Sequence, residues 1–78
     1  MAYVTGFTAS TVEGGSREHS ICTAGWRLTE RSGERVLQID TYGSPERQDA
    51  GTVSQSLQLD ESRARELIAI LRRAFPGL

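Results

Sequence analysis

The sequence predicts an α+β domain, an antiparallel β-sheet of three to four strands followed by one C-terminal α-helix packed on one face. Two observations carry this fold class. Apolar and polar residues alternate with the period of two that a half-buried strand requires, over residues 20–30, 35–42 and 52–59. From Ala64 the spacing changes to three and four, with Ala64, Leu67, Ile68, Leu71, Ala74 and Phe75 on one side, as a helix with one buried face requires.

The first ten residues supply a short strand through Tyr3, Val4 and Phe7. Residues 11–20, rich in glycine, serine and charge, read as a mobile loop. In the segment 20–30, Cys22, Ala24, Trp26 and Leu28 share one face, and Thr23, Arg27 and Thr29 share the other. Cys22 is expected there as a small buried thiol. Gly25 marks a bulge or a close approach. Arg31-Ser32-Gly33-Glu34 is a turn signal, so this strand and residues 35–42 form a β-hairpin, with Leu37 and Ile39 opposite to Gln38, Asp40 and Tyr42.

Residues 43–51 form a loop opened by Ser44-Pro45. In the last strand, 52–59, Val53, Leu57 and Leu59 face the core with Gln55 as a polar guest, while Ser54, Ser56 and Gln58 face outward. Asp60 is the expected N-cap of a helix over residues 61–75, since its carboxylate accepts from first-turn amides and favours the positive helix end. Arg72 and Arg73 suit the last turn, and Pro76-Gly77 stops the helix.

Composition narrows the function. A chain of 78 residues makes one small domain with a thin core, for which a partner chain is expected. The net charge of −1 argues against a protein held on nucleic acid or acidic lipid by bulk charge alone. All nine basic residues are arginine, and lysine and asparagine do not occur, the mark of a GC-rich genome, bacterial or phage. One cysteine builds neither an intramolecular disulfide nor a cysteine-based zinc site, which fits a reducing cytoplasm. No apolar run spans a bilayer, no signal peptide opens the chain, and no phosphate-binding loop, dinucleotide fingerprint or metal-ligand cluster occurs. The expectation is a soluble cytoplasmic protein without cofactor or metal, and not an enzyme.

A single helix covers one sheet face only, so function is expected on the other, which collects Arg27, Thr29, Gln38, Asp40, Tyr42, Ser54, Ser56 and Gln58. Such a surface stacks a nucleobase on Tyr42 and grips phosphate with Arg27 and the loop residue Arg47, with Gln38 and Gln58 assisting. Ile70 lies to one side of the main helical stripe, so Leu67, Ile70 and Ala74 are the expected dimer interface.

The segments QIDTYGS, Gln38 to Ser44, and SQSLQLDESRARELIAIL, Ser54 to Leu71, resemble the positive cofactor four family of transcriptional coactivators and its bacterial relatives. QIDTYGS is similar to that family's strand ending in an aromatic before a polar loop. The longer segment is similar to its strand, cap and dimerising helix. The resemblance implies a homodimer whose sheets grip single-stranded DNA, with Tyr42 stacking and Arg27, Arg35 and Arg47 contacting the backbone. The family's lysine-rich loop has no counterpart in residues 43–51, where Arg47 stands against Glu46 and Asp49. Two functions are therefore expected: binding of single-stranded DNA or RNA, and, as the alternative, a protein-interaction module or small phage or accessory factor that binds a protein partner.

Overall fold

The computed structural model describes residues 1–10, 15, 17–43 and 52–78. In chain order the elements are β1 (Ala2–Tyr3), β2 (Ala24–Arg31), β3 (Glu34–Tyr42), β4 (Val53–Leu59) and α1 (Glu61–Ala74). The four strands form one sheet in the order β1-β4-β3-β2, with α1 packed against it chiefly through β4. The α+β class is as expected. The sheet itself is mixed, because β1 runs parallel to β4, with Ala2 opposite Leu57 and Tyr3 opposite Gln58. A hairpin forces antiparallel pairing, and β1 is tied to no neighbour by a hairpin; the long connection from Tyr3 to Ala24 lets it lie along the free edge of β4 in either sense.

The β2–β3 hairpin closes on Ser32 and Gly33 between the paired residues Arg31 and Glu34. Both loop residues have positive φ, 52° and 81°, as in the primed turns whose twist matches that of the strands they join. Between β3 and β4 the register runs from Leu37 opposite Leu59 to Thr41 opposite Gln55, then slips so that Tyr42 faces Val53. Ser54 is thus the extra residue of a bulge. The slip corrects one expectation, because it moves Val53 off the apolar face and onto the side that carries Asp40 and Ser56.

Register sorts the remaining side chains onto two faces. Trp26, Ile39 and Leu57 lie side by side across the sheet, as do Leu28, Leu37 and Leu59. On the reverse, Arg27, Gln38, Gln58 and Tyr3 form one row, and Gly25, Asp40 and Ser56 the next. Cys22 lies before β2 and is exposed, so the expected buried thiol is not found; the strand begins two residues later, beyond the reach of the packed face.

The helix starts directly after β4. Asp60 caps it in extended conformation, with Oδ1 accepting from the Arg63 amide at 2.8 Å, and Phe75 follows the last helical residue as C-cap. Glu61 pairs with Arg65 one turn on at 3.5 Å. Arg63 forms an ion pair with Glu66, and its guanidinium donates to the Thr5 carbonyl, which ties the N-terminal segment to the helix. The helix nonetheless buries no residue of its own, and among the described residues Val36 and Leu59 are the only apolar side chains in full burial.

The turn supplies a test. At Gly33 a Cβ meets no neighbour within 4 Å, so the cost of Gly33→Ala is that of the left-handed backbone alone. We expect about 1 kcal/mol of destabilisation in chemical denaturation, and a stabilisation of a few tenths to about 1 kcal/mol for Ser32→Gly, which removes the same strain.

Candidate binding face

The polar face is built around a directed chain of hydrogen bonds across β3 and β4. Gln58 Nε2 donates to Gln38 Oε1 at 2.8 Å, and Gln38 Nε2 donates in turn to Asp40 Oδ1 at 3.0 Å. The Ser56 hydroxyl donates to the same oxygen at 2.7 Å. Asp40 orients the whole chain, because an ionised carboxylate only accepts: Gln38 must turn its amide nitrogen toward it, which leaves the Gln38 carbonyl for Gln58. Gln38 and Asp40 are buried. Alternation alone places both facing outward; long side chains in adjacent rows and their own mutual bonds take them out of water.

Hydrogen bonds from Ser56 and then Gln38 hold the Asp40 carboxyl below its ordinary 3.8, against the opposing effect of desolvation, and Arg27 adds a weaker pull. The weakness of that last effect follows from geometry. Arg27 Nε stands 3.9 Å from Asp40 Oδ2, beyond hydrogen-bond range, and the Arg27 side chain is 67% exposed. Its guanidinium is held loosely and faces solvent.

Two aromatic rings flank this ladder. At one end Tyr42 lies across β2, where a Cβ on Gly25 would stand 2.7 Å from the Tyr42 hydroxyl and 3.3 Å from the ring edge. Glycine is needed at this position for close approach, as expected, and what approaches is the Tyr42 ring. At the other end the Arg31 guanidinium stacks over the Tyr3 ring at 3.9 Å, and the Tyr3 hydroxyl reaches Asp60 Oδ2 at 3.5 Å. An open cleft of about 410 Å³ lies on this face beside Tyr3, lined also by Arg27, Gln38, Asp40, Ser56 and Gln58 among others, while Tyr42 lines a separate cleft with His19 and Cys22. No residue of α1 lines the cleft beside Tyr3.

Of the residues expected at a nucleic-acid site, Arg27, Gln38, Gln58 and Tyr42 come together on this face. Arg47 lies outside the described residues, as does much of the loop expected over 11–20. Arg35 falls on the opposite face, in a cleft with Leu28, Leu37, Leu59 and Ala64, because it is one residue out of step with Val36, Gln38 and Asp40. Tyr3 and Arg31 join the face without having been expected there. Arg31 is legible in the period-two series Arg27, Thr29, Arg31; Tyr3 depends on which edge β1 joins, which local pattern does not encode. Of the expected dimer contacts, Leu67 is half-buried, while Ile70 and Ala74 line a cleft with Phe7, Thr8 and Ala9 of the N-terminal segment.

Among the described residues there is no cluster of three metal-ligating side chains, and no helix is long and apolar enough to cross a membrane. No family model, no curated protein and no solved structure matches the chain.

Two measurements test the geometry. Gly25→Ala overpacks against Tyr42 and is expected to cost on the order of 1–3 kcal/mol in denaturant unfolding. In a Tyr42→Phe background the nearest clashing atom is gone, so the same substitution should cost less, which a double-mutant cycle reads directly. The other concerns acid. Because the Asp40 pKa is lower folded than unfolded, its contribution is complete above the unfolded value and is lost as pH falls through the folded one. The stability gap between wild type and Asp40→Asn should thus be flat from neutrality to about pH 5 and close below about pH 4, measured by thermal unfolding across that range.

Proposed function

We propose that this protein is a non-enzymatic binding protein that takes single-stranded nucleic acid on the polar sheet face and acts as a homodimer. One observation carries the reading: beside a cleft that no residue of α1 lines, the exposed Arg27 and Arg31 share a sheet face with the rings of Tyr3 and Tyr42 and a ladder of amides. Single strands are held by this combination, with phosphate on cations and unstacked bases on aromatic or guanidinium planes. Duplex readout asks instead for a helix or ribbon that enters a groove, and no residue of α1 lines this cleft.

The buried Asp40 charge shapes how a strand lies. A phosphate over the centre of the face would meet a carboxylate, so the backbone follows the margins near Arg27 and Arg31 and the bases turn inward toward the amide ladder. Arg27 loses little on leaving Asp40, since their contact is long and solvated.

An alternative reading, a protein-interaction module, is favoured by a different surface. Trp26 and Leu28, 72% and 56% exposed, stand on the apolar sheet face and resemble the anchors of a protein interface more than a solvated surface. Recovery of one stoichiometric protein partner that resists nuclease would favour this reading, and nuclease-sensitive recovery would count against it.

Titration of a fluorescent mixed-sequence single strand tests the nucleic-acid reading. We expect micromolar affinity at low salt, with log K falling against log salt with a slope of roughly −2 for about three neutralised phosphates. Arg27→Ala should flatten that slope by about 0.7, and Tyr42→Ala should cost about 1–3 kcal/mol of binding. Absence of salt-dependent binding at micromolar protein would sink the proposal.

A further inference from the structure

The apolar face of the sheet does not end at β4. Leu59 leads through Asp60 into α1, and the cleft that joins them is lined by Leu28, Leu37 and Leu59 from the sheet and Ala64 from the helix. Beyond Ala64 the same helical stripe continues through Ile68, Leu71 and Phe75, which are 48%, 37% and 60% exposed. Trp26 lies at the far side of the sheet beside Ile39 and Leu57. Sheet and helix thus present one continuous apolar surface.

We infer that this surface is the interface of an obligate homodimer, in which a second copy of the chain covers Trp26, Leu28, Leu37 and Leu59 together with the Ala64–Ile68–Leu71 stripe. Exposure argues for a partner first. Trp26, Leu28, Ile68 and Phe75 are 72%, 56%, 48% and 60% exposed on this one surface, more large apolar side chains than a solvated face ordinarily carries together.

Stability argues that the partner is a copy of the same chain. Two fully buried aliphatic side chains among the described residues do not repay the ordering of a chain this size, so a partner must be present whenever the chain is folded. A second copy is available wherever the chain is made, and the share that is paired rises with concentration. The rim is self-complementary too: Glu34, Arg35 and Glu61 border the apolar cleft, and a two-fold axis brings the arginine of one copy to the carboxylates of the other. The side of the helix with Ile70 and Ala74 borders Phe7, Thr8 and Ala9 of the same chain, whereas Ala64, at the head of the Ile68–Leu71 stripe, continues the apolar cleft of the sheet.

This inference rests on the homodimer of the proposed function and names its interface; strand binding uses the other face, so loss of the dimer and loss of strand binding are read separately. The experiment is solution mass by light scattering with thermal unfolding at several protein concentrations, on wild type, Leu28→Glu and Ile70→Glu. We expect a wild-type mass twice 8.6 kDa, a melting temperature that rises with concentration, and a dimer that survives Ile70→Glu but not Leu28→Glu. Trp26 is the only tryptophan, so wild-type fluorescence reports this surface without any substitution. Emission shifted to the blue of free tryptophan in the native state, moving red on dilution, supports the inference even if Leu28→Glu fails to fold. A folded monomer with concentration-independent melting overturns it, as does a dimer whose Trp26 emits as in water or that Ile70→Glu alone dissociates. A wild-type chain that is unfolded by itself at every concentration also overturns it, since the partner would then be another protein.

Discussion

The rest of the structure depends on the junction at Asp60. This residue ends β4 and caps α1 with no loop between them, so the helix has no slack to fold back across the sheet. It leaves the end of β4 with its N-terminal amides fixed by the Asp60 carboxylate, and it meets the sheet chiefly along that strand. A connection of about three or four more residues would let the stripe of Ala64, Leu67, Ile68 and Leu71 lie over Trp26 and Leu28 and close a core within one chain. As built, Leu59 is buried while Ile68 and Phe75 are open. The short junction leaves much of the helix's apolar stripe uncovered within the chain.

On the reverse face the same sheet solves the opposite problem. Gln38 and Asp40 occupy central positions on β3, where an unpaired buried amide costs on the order of 1–3 kcal/mol. The chain from Gln58 through Gln38 to Asp40, with Ser56 donating to the same carboxylate, meets most of that cost within two strands. Its direction is set by the charge of Asp40, so one ionised group fixes two amide orientations and the β3–β4 register at once. A slip of one residue between β3 and β4 would place Leu57 opposite Asp40 and Gln58 opposite Ile39, in the row of Trp26. The bulge at Ser54 appears where this constraint stops, beyond Asp40 opposite Ser56.

Much of this is legible in the sequence, because alternation and capping are local. The hairpin on Ser32 and Gly33, the cap at Asp60, the Glu61–Arg65 pair and the helix end near Phe75 all follow from residues close together in the chain. The facing of Leu37 and Ile39 against Gln38 and Asp40 follows from period two alone. What is not legible depends on contacts distant in sequence. Parallel pairing of β1 brings Tyr3 next to Gln58, and only then does Arg31 acquire a ring to stack on. The bulge that moves Val53 is likewise a property of two strands, and the burial of Gln38 belongs to a network whose members lie up to 20 positions apart. Cys22 departs from its expected place because alternation continues in sequence past the point where β2 has a partner for its backbone.

The two proposed surfaces are compatible because a β-sheet separates them. Side chains at consecutive positions point to opposite faces, so Trp26 and Leu28 belong to one surface and Arg27 to the other without shared atoms. Two copies that meet through their apolar faces therefore carry their Tyr42, Arg27 and Tyr3 rows outward, away from the contact. With face-to-face sheets about 10 Å apart, the two polar surfaces point in opposite directions, and a short strand engages only one of them. On the two proposals together, each dimer would take up two short strands independently and gain avidity only from a strand long enough to pass around its edge. The proposed dimer would couple the two surfaces through stability alone, by holding the sheet folded.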